Sequence, residues 1–182
     1  HGFEPDDAQR NAMQHFQRLY EDLVGPERLE ASLIRLLARR RVVQGVYLWG
    51  GVGRGKSFLM DAFYLCLPLD RKVRVHFHHF MRQVHHEMRE LKGQEDPLDA
   101  VAERLAKRHR LICFDEFHVN DIADAMILAR FFEVLFDEGV TVISTSNRAP
   151  DDLYKNGLQR DRFLPFIELV KQRLEVLELG GA

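Results

Sequence analysis

The segment from Gly50 to Ser57 has the residue types and the spacing of a phosphate-binding loop. It reads GGVGRGKS and fits the pattern G-x-x-x-x-G-K-[S/T], with Gly50, Gly55, Lys56 and Ser57 at the fixed positions. Glycines allow a tight turn that aims backbone N–H groups at phosphate oxygens. We expect Lys56 to reach the β- and γ-phosphates and the Ser57 hydroxyl to ligate Mg²⁺. The alternative is a glycine-rich turn that holds no ligand.

The segments on both sides of the loop favour a bound nucleotide. Residues 45–49 form an apolar run typical of a buried strand, and residues 57–67 carry apolar side chains at helical spacing. A strand, a glycine loop and a helix start together aim a helix N-terminus at an anion. We therefore predict that ATP binds here. The expected contacts are Gly50, Gly51, Val52, Gly53, Arg54, Gly55, Lys56, Ser57 and Phe58.

Two carboxylates follow a second apolar run, at residues 111–114. A strand of this kind carries them to the carboxyl edge of a parallel sheet, where triphosphate sites form. Asp115 is expected to hold Mg²⁺ through water beside Ser57. Glu116 is expected to orient and deprotonate the water that attacks the γ-phosphate. The alternative is a pair of solvated acids at a strand end, and the preceding phosphate loop favours the catalytic interpretation.

Three further polar residues are candidates for the same chemistry. Asn147 follows the fourth predicted strand and is placed to hydrogen-bond the γ-phosphate or the attacking water, although its position fits a turn-forming asparagine equally well. Arg160 and Arg162 open the last predicted helix, and either could stabilise the transition state in a neighbouring subunit as an arginine finger. Surface arginines are common at helix starts, so the local pattern does not decide between these roles.

A histidine cluster raises the question of a metal site. No cysteine or carboxylate stands at a familiar ligand spacing, and the adjacent pair His85-His86 must face apart on a helix. Polar contacts near a strand end, or a partner surface, are therefore favoured over a metal. The cluster consists of His76, His78, His79, His85 and His86.

The hydrophobic pattern predicts five strands that alternate with helices. Nearly continuous apolar strands of this kind favour a parallel sheet covered on both faces, an α/β fold. Ahead of it we predict a helical segment over residues 1–41. A first helix over residues 5–24 ends at Gly25-Pro26, and a second carries the basic run Arg39–Arg41 at its end, which is interpreted as solvated. The predicted strands span residues 45–49, 72–77, 111–116, 140–145 and 175–179.

Composition describes an ordinary globular chain. The hydrophobic content of 46%, the charged content of 30% and the net charge of −2 give no general attraction to nucleic acid or to an anionic membrane. Cys66 and Cys113 are predicted to be buried and reduced, which favours a reducing compartment. No apolar run reaches the roughly 20 residues of a membrane span. The chain begins with His1, so we expect a fragment that no longer reports on a targeting segment.

Taken together, these motifs resemble those of AAA+ ATPases, and specifically the family of the bacterial cell division protein ZapE and its mitochondrial relatives. The resemblance runs over residues 6–179 and is dense. It implies a P-loop core over residues 42–182 with a five-stranded parallel sheet in the order 5-1-4-3-2. The segments that carry it are residues 45–57, 76–78, 114–117, 145–148, 151–160 and 163–165.

The resemblance also implies roles for the candidate residues. Lys56 and Ser57 would be the Walker-A pair, and Asp115 and Glu116 the Walker-B pair. Asn147 would be the sensor-1 residue. Arg160 matches the Gly-Leu-Gln-Arg segment of the family and is preferred over Arg162 as the finger.

The function implied is that of an oligomeric, Mg²⁺-dependent ATP hydrolase that remodels a protein partner. By resemblance the partner is FtsZ, at the division septum on the cytoplasmic face of the inner membrane, with peripheral membrane association possible. Alternatives are protein quality control, as in the mitochondrial relatives, a nucleic-acid loader, and a nucleotide-gated scaffold. Glu116 argues against a scaffold, and the net charge argues mildly against nucleic acid. AAA+ proteins usually add a helical lid with a sensor-2 arginine, and from the resemblance we expect the sequence up to Ala182 to hold the core without this lid.

Overall fold

The computed structural model describes residues 4–28 and 43–180 and has five strands in one parallel sheet. The strands are β1 (Gly45–Gly50), β2 (Lys72–His76), β3 (Leu111–Asp115), β4 (Thr141–Ser146) and β5 (Leu174–Leu179). The helices are α1 (Asp7–Arg28), α2 (Lys56–Cys66), α3 (Phe77–Glu90), α4 (Pro97–Arg108), α5 (Ile122–Asp137) and α6 (Arg160–Arg173), with a short 3-10 helix at Pro150–Asp152.

The order of the strands across the sheet is β2-β3-β4-β1-β5. This is the expected order 5-1-4-3-2 viewed from the other edge, so the predicted fold class is confirmed. The three central strands β3, β4 and β1 are almost continuously buried, because helices cover both of their faces. Their carboxyl ends meet at one edge, which is the edge that carries the phosphate loop.

Successive side chains of the strands pack into two separate cores, as the period of two of a strand requires. On β3, Ile112 and Phe114 face the core formed with α3 to α6, whereas Leu111 and Cys113 face the core formed with α1 and α2. The first core is rich in phenylalanine. The second contains the apolar face of α1, so this helix belongs to the same folded unit as the sheet.

Phe117, at the turn after β3, lies at the centre of the phenylalanine-rich core. Its ring stacks on Phe166 of α6, with centroids 5.7 Å apart and planes inclined by 11°. It also contacts Phe77 of α3, Phe132 of α5 and Tyr47 of β1 through aromatic pairs. One ring at the carboxyl edge of the sheet therefore touches three helices and the strand β1.

Two helix starts follow local sequence rules. The Asp121 side chain accepts a hydrogen bond of 2.6 Å from the backbone N–H of Ala123 at the start of α5. Pro97 occupies the first position of α4, where its missing N–H would have no partner within the helix.

No helix of the described ranges is long and apolar enough to cross a membrane.

The predicted end of the first helix is wrong. Gly25-Pro26 does not terminate α1, which continues to Arg28. A proline removes one backbone hydrogen bond and crowds the carbonyl four residues before it, but so close to a helix end less than a turn follows that could be disturbed. The predicted second helix and the Arg39–Arg41 run lie outside the described residues.

The prediction for Cys66 is also wrong, because its side chain is exposed at the end of α2. Cys113 is fully buried in β3, as predicted, and burial raises the pKa of its thiol to about 12. A thiolate is the reactive form, so both the burial and the raised pKa protect Cys113 at neutral pH.

We therefore expect one thiol of the native protein to react rapidly with a disulfide reagent at pH 7, and the second only after unfolding. Counting the released chromophore before and after adding denaturant measures both. The variant Cys66→Ser should lose the fast phase alone. Rapid reaction of two thiols in the native protein would contradict the buried position of Cys113.

Candidate nucleotide-binding site

The phosphate loop leaves β1 through a close backbone approach that only glycine permits. A Cβ at Gly50 would lie 2.1 Å from the carbonyl oxygen of Leu179 in the neighbouring strand β5. Gly55, the residue before α2, has φ +86°, a left-handed conformation that glycine adopts without strain. Within the described ranges, no side chain caps the start of α2. An uncapped helix N-terminus favours a bound anion.

Lys56 is buried within its own loop, with only 8% of its surface exposed. Its ammonium group donates hydrogen bonds of 2.8 Å to the carbonyl of Gly50 and 2.7 Å to the carbonyl of Gly51. Burial lowers its pKa, because the charged form loses hydration. An ammonium has three donors, so one remains for a phosphate oxygen. The two carbonyl bonds fix the position from which that donor acts.

A cavity of about 250 Å³ opens over the phosphate loop. It is bounded by seven consecutive loop residues and by polar residues from the ends of β3 and β4, which are adjacent in the sheet. Gly50 and Gly51 do not line the cavity, but their carbonyls accept hydrogen bonds from Lys56 and hold it there. The lining residues are Val52, Gly53, Arg54, Gly55, Lys56, Ser57, Phe58, Glu116, Thr145, Ser146 and Asn147.

Glu116 reaches this cavity from a strained turn. Its φ is +52°, a conformation that costs a non-glycine residue roughly 1–3 kcal/mol and persists only where surrounding contacts impose it. Thr145 supplies two such contacts: its hydroxyl accepts from the N–H of Glu116 at 3.2 Å, and its carbonyl accepts from the N–H of Phe117 at 2.7 Å. The Ser146 hydroxyl donates to the Phe117 carbonyl at 2.8 Å. The end of β4 thus fixes the turn that carries the predicted base.

The carboxylate of Glu116 also has a side-chain partner. His76, the last residue of β2, places its Nε2 2.7 Å from Glu116 Oε2. The glutamate side chain remains 73% exposed, so water reaches it freely. His76 therefore sets the direction of the carboxylate without removing it from the cavity.

Asp115 does not line the cavity but lies beside it, held by Arg74 of β2. The guanidinium donates from Nε to Oδ2 at 2.7 Å and from Nη2 to Oδ1 at 3.0 Å. These hydrogen bonds raise the pKa of Arg74, because they favour its charged form. Of the two predicted magnesium residues, Ser57 thus faces the cavity and Asp115 stands at its border.

Arg160 lies outside the set of residues that line the cavity. Its Nη2 donates to the backbone carbonyls of Asp151 at 2.5 Å and Leu153 at 3.2 Å, and its buried Nε has no hydrogen-bond partner within the described part of the chain. Within its own subunit the guanidinium therefore holds the loop that precedes α6. Arg162, two residues further on, is exposed.

Three of the five histidines of the cluster contact carboxylates. Besides His76, His85 lies 2.6 Å from Asp124, and His86 lies 3.2 Å from Glu90. Among residues 4–28 and 43–180, no group of three or more histidine, cysteine or acidic side chains is arranged to hold a metal ion.

Sequence reasoning missed the supporting residues of the site. Arg74 and His76 belong to β2, and they meet Asp115 and Glu116 because β2 pairs with β3. The alternating pattern of residues 72–77 placed both on a strand but gave no sign of their partners. Thr145 and Ser146 were noted as part of a motif without a role, although hydroxyl residues ending a buried strand are a usable signal.

The parallel sheet, the phosphate loop between β1 and α2, and the acidic pair that ends β3 define a P-loop NTPase of the AAA+ class. A family model described as "AFG1-like ATPase" matches residues 1–182. The chain belongs to the AFG1-like ATPase family, as the resemblance of its motifs predicts.

Curated relatives come from bacteria and from animals. The chain is 45% identical over 190 residues to the cell division protein ZapE of Escherichia coli K12, which covers 98% of this chain and 51% of that protein. It is 49% identical over 147 residues to lactation elevated protein 1 homolog B of Danio rerio, which covers 75% of this chain and 29% of that protein. The chain therefore spans about half the length of the bacterial relative, and its match spans less than a third of the length of the animal relative.

Among solved structures, the crystal structure of DnaI has a similar fold. Its TM-score is 0.66 at 16% sequence identity, with 100% of this chain and 86% of that chain covered. At this identity the similarity concerns the fold alone.

Proposed function

We propose that this chain is the catalytic core of a Mg²⁺-dependent ATP hydrolase that remodels a protein partner. The observation that carries the proposal is the single cavity in which Lys56, Ser57, Glu116 and Asn147 meet. A cationic phosphate ligand, a metal-ligating hydroxyl, a carboxylate base and an amide are the groups that phosphoryl transfer to water requires. Membership of an ATPase family supports the same reaction.

In the proposed reaction, Glu116 accepts a proton from a water molecule while the oxygen of that water forms a bond to the γ-phosphorus. The bond from that phosphorus to the β–γ bridging oxygen breaks, and ADP and inorganic phosphate leave. Asn147 orients the water or the γ-phosphate from the end of β4. Lys56 stabilises the negative charge that shifts toward the bridging oxygen. Because Glu116 is exposed and held from one side by His76, it is free to accept the proton.

Ser57 and Asp115 fit a magnesium ion by the chemistry of their donors, since Mg²⁺ prefers hydroxyl, carboxylate and water oxygens. We propose that the Ser57 hydroxyl binds the ion directly and that Asp115 holds it through water. A bound Mg²⁺ would neutralise charge on the β- and γ-phosphates. No other step of the proposed reaction depends on how the ion is coordinated.

We further propose that the subunits form a homo-oligomer in which Arg160 of one subunit serves the site of the next. Among residues 4–28 and 43–180, Arg54 of the loop itself is the only arginine that lines the cavity. A second subunit is thus the natural source of an arginine that responds to the transition state. The contacts of Arg160 with its own loop would then be exchanged for contacts with the γ-phosphate when subunits assemble.

The proposed partner is FtsZ, which places the protein at the division septum on the cytoplasmic face of the inner membrane. The support is the similarity to a protein named as a cell division protein. ATP turnover measured with and without purified FtsZ tests this choice, and stimulation by FtsZ is expected. Stimulation by an unfolded protein instead of FtsZ would favour the quality-control alternative.

The variant Lys56→Ala is expected to bind ATP about 10–100-fold more weakly, because it loses a charge-assisted hydrogen bond of about 1.5–3 kcal/mol. Calorimetric titration with ATP in the presence of Mg²⁺ measures the change. Lys155→Ala, which removes an exposed lysine of the loop before α6, is the matched control and should bind as the parent does. Equal affinity of the parent and Lys56→Ala would contradict the proposed site.

A further inference from the structure

Arg74 makes a two-point contact with the carboxylate of Asp115, the residue proposed to hold Mg²⁺ through water. Both oxygens of Asp115 accept from the guanidinium, at 2.7 Å and 3.0 Å, and each side chain is only about a fifth exposed, 21% and 23%. Such bidentate pairs fix orientation as well as distance, because two parallel hydrogen bonds leave the carboxylate no freedom to rotate.

The strand register explains why this contact forms. Arg74 stands opposite Cys113 in the β2–β3 pairing, and Asp115 lies two residues beyond Cys113. Side chains two residues apart share a face of a strand, so Arg74 and Asp115 project toward the same side of the sheet. The buried neighbour Cys113 identifies that side as the one covered by α1 and α2.

The same guanidinium has a third partner on α2. Its Nη1 contacts the carboxylate of Asp61. Asp61 is four residues after Ser57, and residues four apart lie on one face of a helix. Arg74 therefore connects the carboxylate at the end of β3 with the turn of α2 that follows the metal-binding hydroxyl.

We propose that Arg74 is a positioning residue that fixes Asp115 relative to Ser57, and so builds the outer part of the magnesium site. The inference rests on the proposed function and adds to it a residue outside the phosphate loop and the acidic pair. Each carboxylate oxygen has about two lone-pair sites, and the guanidinium uses one on each. The remaining lone pairs can accept hydrogen bonds from metal-bound water, which is the water-mediated role proposed for Asp115.

A positioning role and a merely structural role of Arg74 predict different losses of ATP affinity. If Arg74 positions the metal-side carboxylate, its removal should weaken only the part of ATP binding that depends on Mg²⁺. If it only supports the fold, ATP binding should weaken equally with and without the ion. Partners in the outer shell of metal sites are typically worth about 10–100-fold in metal affinity or activity.

The experiment compares the parent protein with Arg74→Gln, which keeps a planar polar group but loses the charge and the fork. Calorimetric ATP titrations are run with Mg²⁺ and with a chelator, and turnover is measured against Mg²⁺ concentration. For Arg74→Gln we expect the Mg²⁺-dependent gain in ATP affinity to fall about 10-fold and kcat to fall about 10–100-fold. Affinity in the chelator should stay within about twofold of the parent.

Two further variants complete the test. Arg130→Gln breaks a comparable two-point arginine–aspartate contact, with Asp99, away from the cavity and is the matched control, with an expected effect below about threefold because surface ion pairs contribute little. Arg74→Lys keeps the charge without the fork and should lie between Arg74→Gln and the parent. Thermal unfolding of each variant identifies any that fails to fold, in which case Arg74→Lys alone decides.

Unchanged Mg²⁺ dependence in Arg74→Gln, or in Arg74→Lys where Arg74→Gln is unfolded, would overturn the proposal. Equal losses with and without Mg²⁺ would overturn it as well. Failure of the proposed function has a separate signature, because the parent protein itself would then show no Mg²⁺-dependent ATP binding.

Discussion

Glu116→Gln is expected to hydrolyse ATP about 10²–10⁴-fold more slowly than the parent while binding Mg²⁺-ATP with similar affinity. Glutamine has the shape of glutamate but cannot accept the proton of the attacking water. The turn that carries residue 116 is imposed by Thr145 and by the Ser146 contact with Phe117. A glutamine should therefore occupy the same place, and the loss should appear in kcat alone.

Steady-state turnover and calorimetric titration on the same preparations separate these two quantities. Glu138→Gln removes an exposed carboxylate at the end of α5 and is the matched control, with no change expected. A fall in turnover below about tenfold for Glu116→Gln would mean that another group takes the proton.

Arg160→Ala is expected to lower turnover by about 10³–10⁵-fold with little loss of ATP affinity, if Arg160 stabilises the transition state of a neighbouring subunit. The structure adds a second consequence. Arg160 binds the carbonyls of Asp151 and Leu153, so the variant should also loosen the loop before α6. A drop in turnover therefore has two candidate causes, the loss of the finger from a neighbouring site and a loosened loop within the same subunit. The experiment must separate them.

Mixing variants makes this separation. Arg160→Ala subunits keep an intact phosphate loop, and Lys56→Ala subunits keep an intact finger, so each preparation alone should be nearly inactive. In an equimolar mixture that assembles at random, about a quarter of the interfaces join an intact site to an intact Arg160. Recovered activity supports action between subunits, because a defect of the loop within one subunit cannot be repaired by its neighbour.

Arg162→Ala is the comparison that tests the choice of arginine. It removes an exposed charge from the same helix start. It should retain turnover, with or without mixing. If Arg160→Ala mixtures assemble but stay inactive, while Arg162→Ala is inactive alone and rescued by Lys56→Ala, the finger is Arg162 and Arg160 only holds its loop.

The strands and most helix bounds were predictable because burial imposes simple periods on the sequence. The predicted strands at 111–116 and 140–145 are rich in apolar and β-branched residues, as buried strands commonly are, and the structure has β3 and β4 there within one residue at each end. The order of the strands was not deducible from these periods and came from the resemblance of the motifs.

Features that depend on tertiary neighbours were the ones missed. The exposure of Cys66 depends on what packs against the end of α2, which helical spacing does not reveal. The contacts of Arg74 and His76 depend on the pairing of β2 with β3, between residues about 40 positions apart in the chain. The left-handed backbone of Glu116 is likewise imposed by β4.

The ring of Phe117 links the turn that carries Glu116 to the helix that begins with Arg160, through its stacking on Phe166. Close-packed interiors shift between discrete arrangements and do not yield gradually. Suppose that nucleotide favours one arrangement of this turn and that a docked neighbour favours one arrangement of α6. The two binding events are then coupled by one free energy. If bound ATP strengthens subunit assembly by a given factor, assembly must strengthen ATP binding by the same factor.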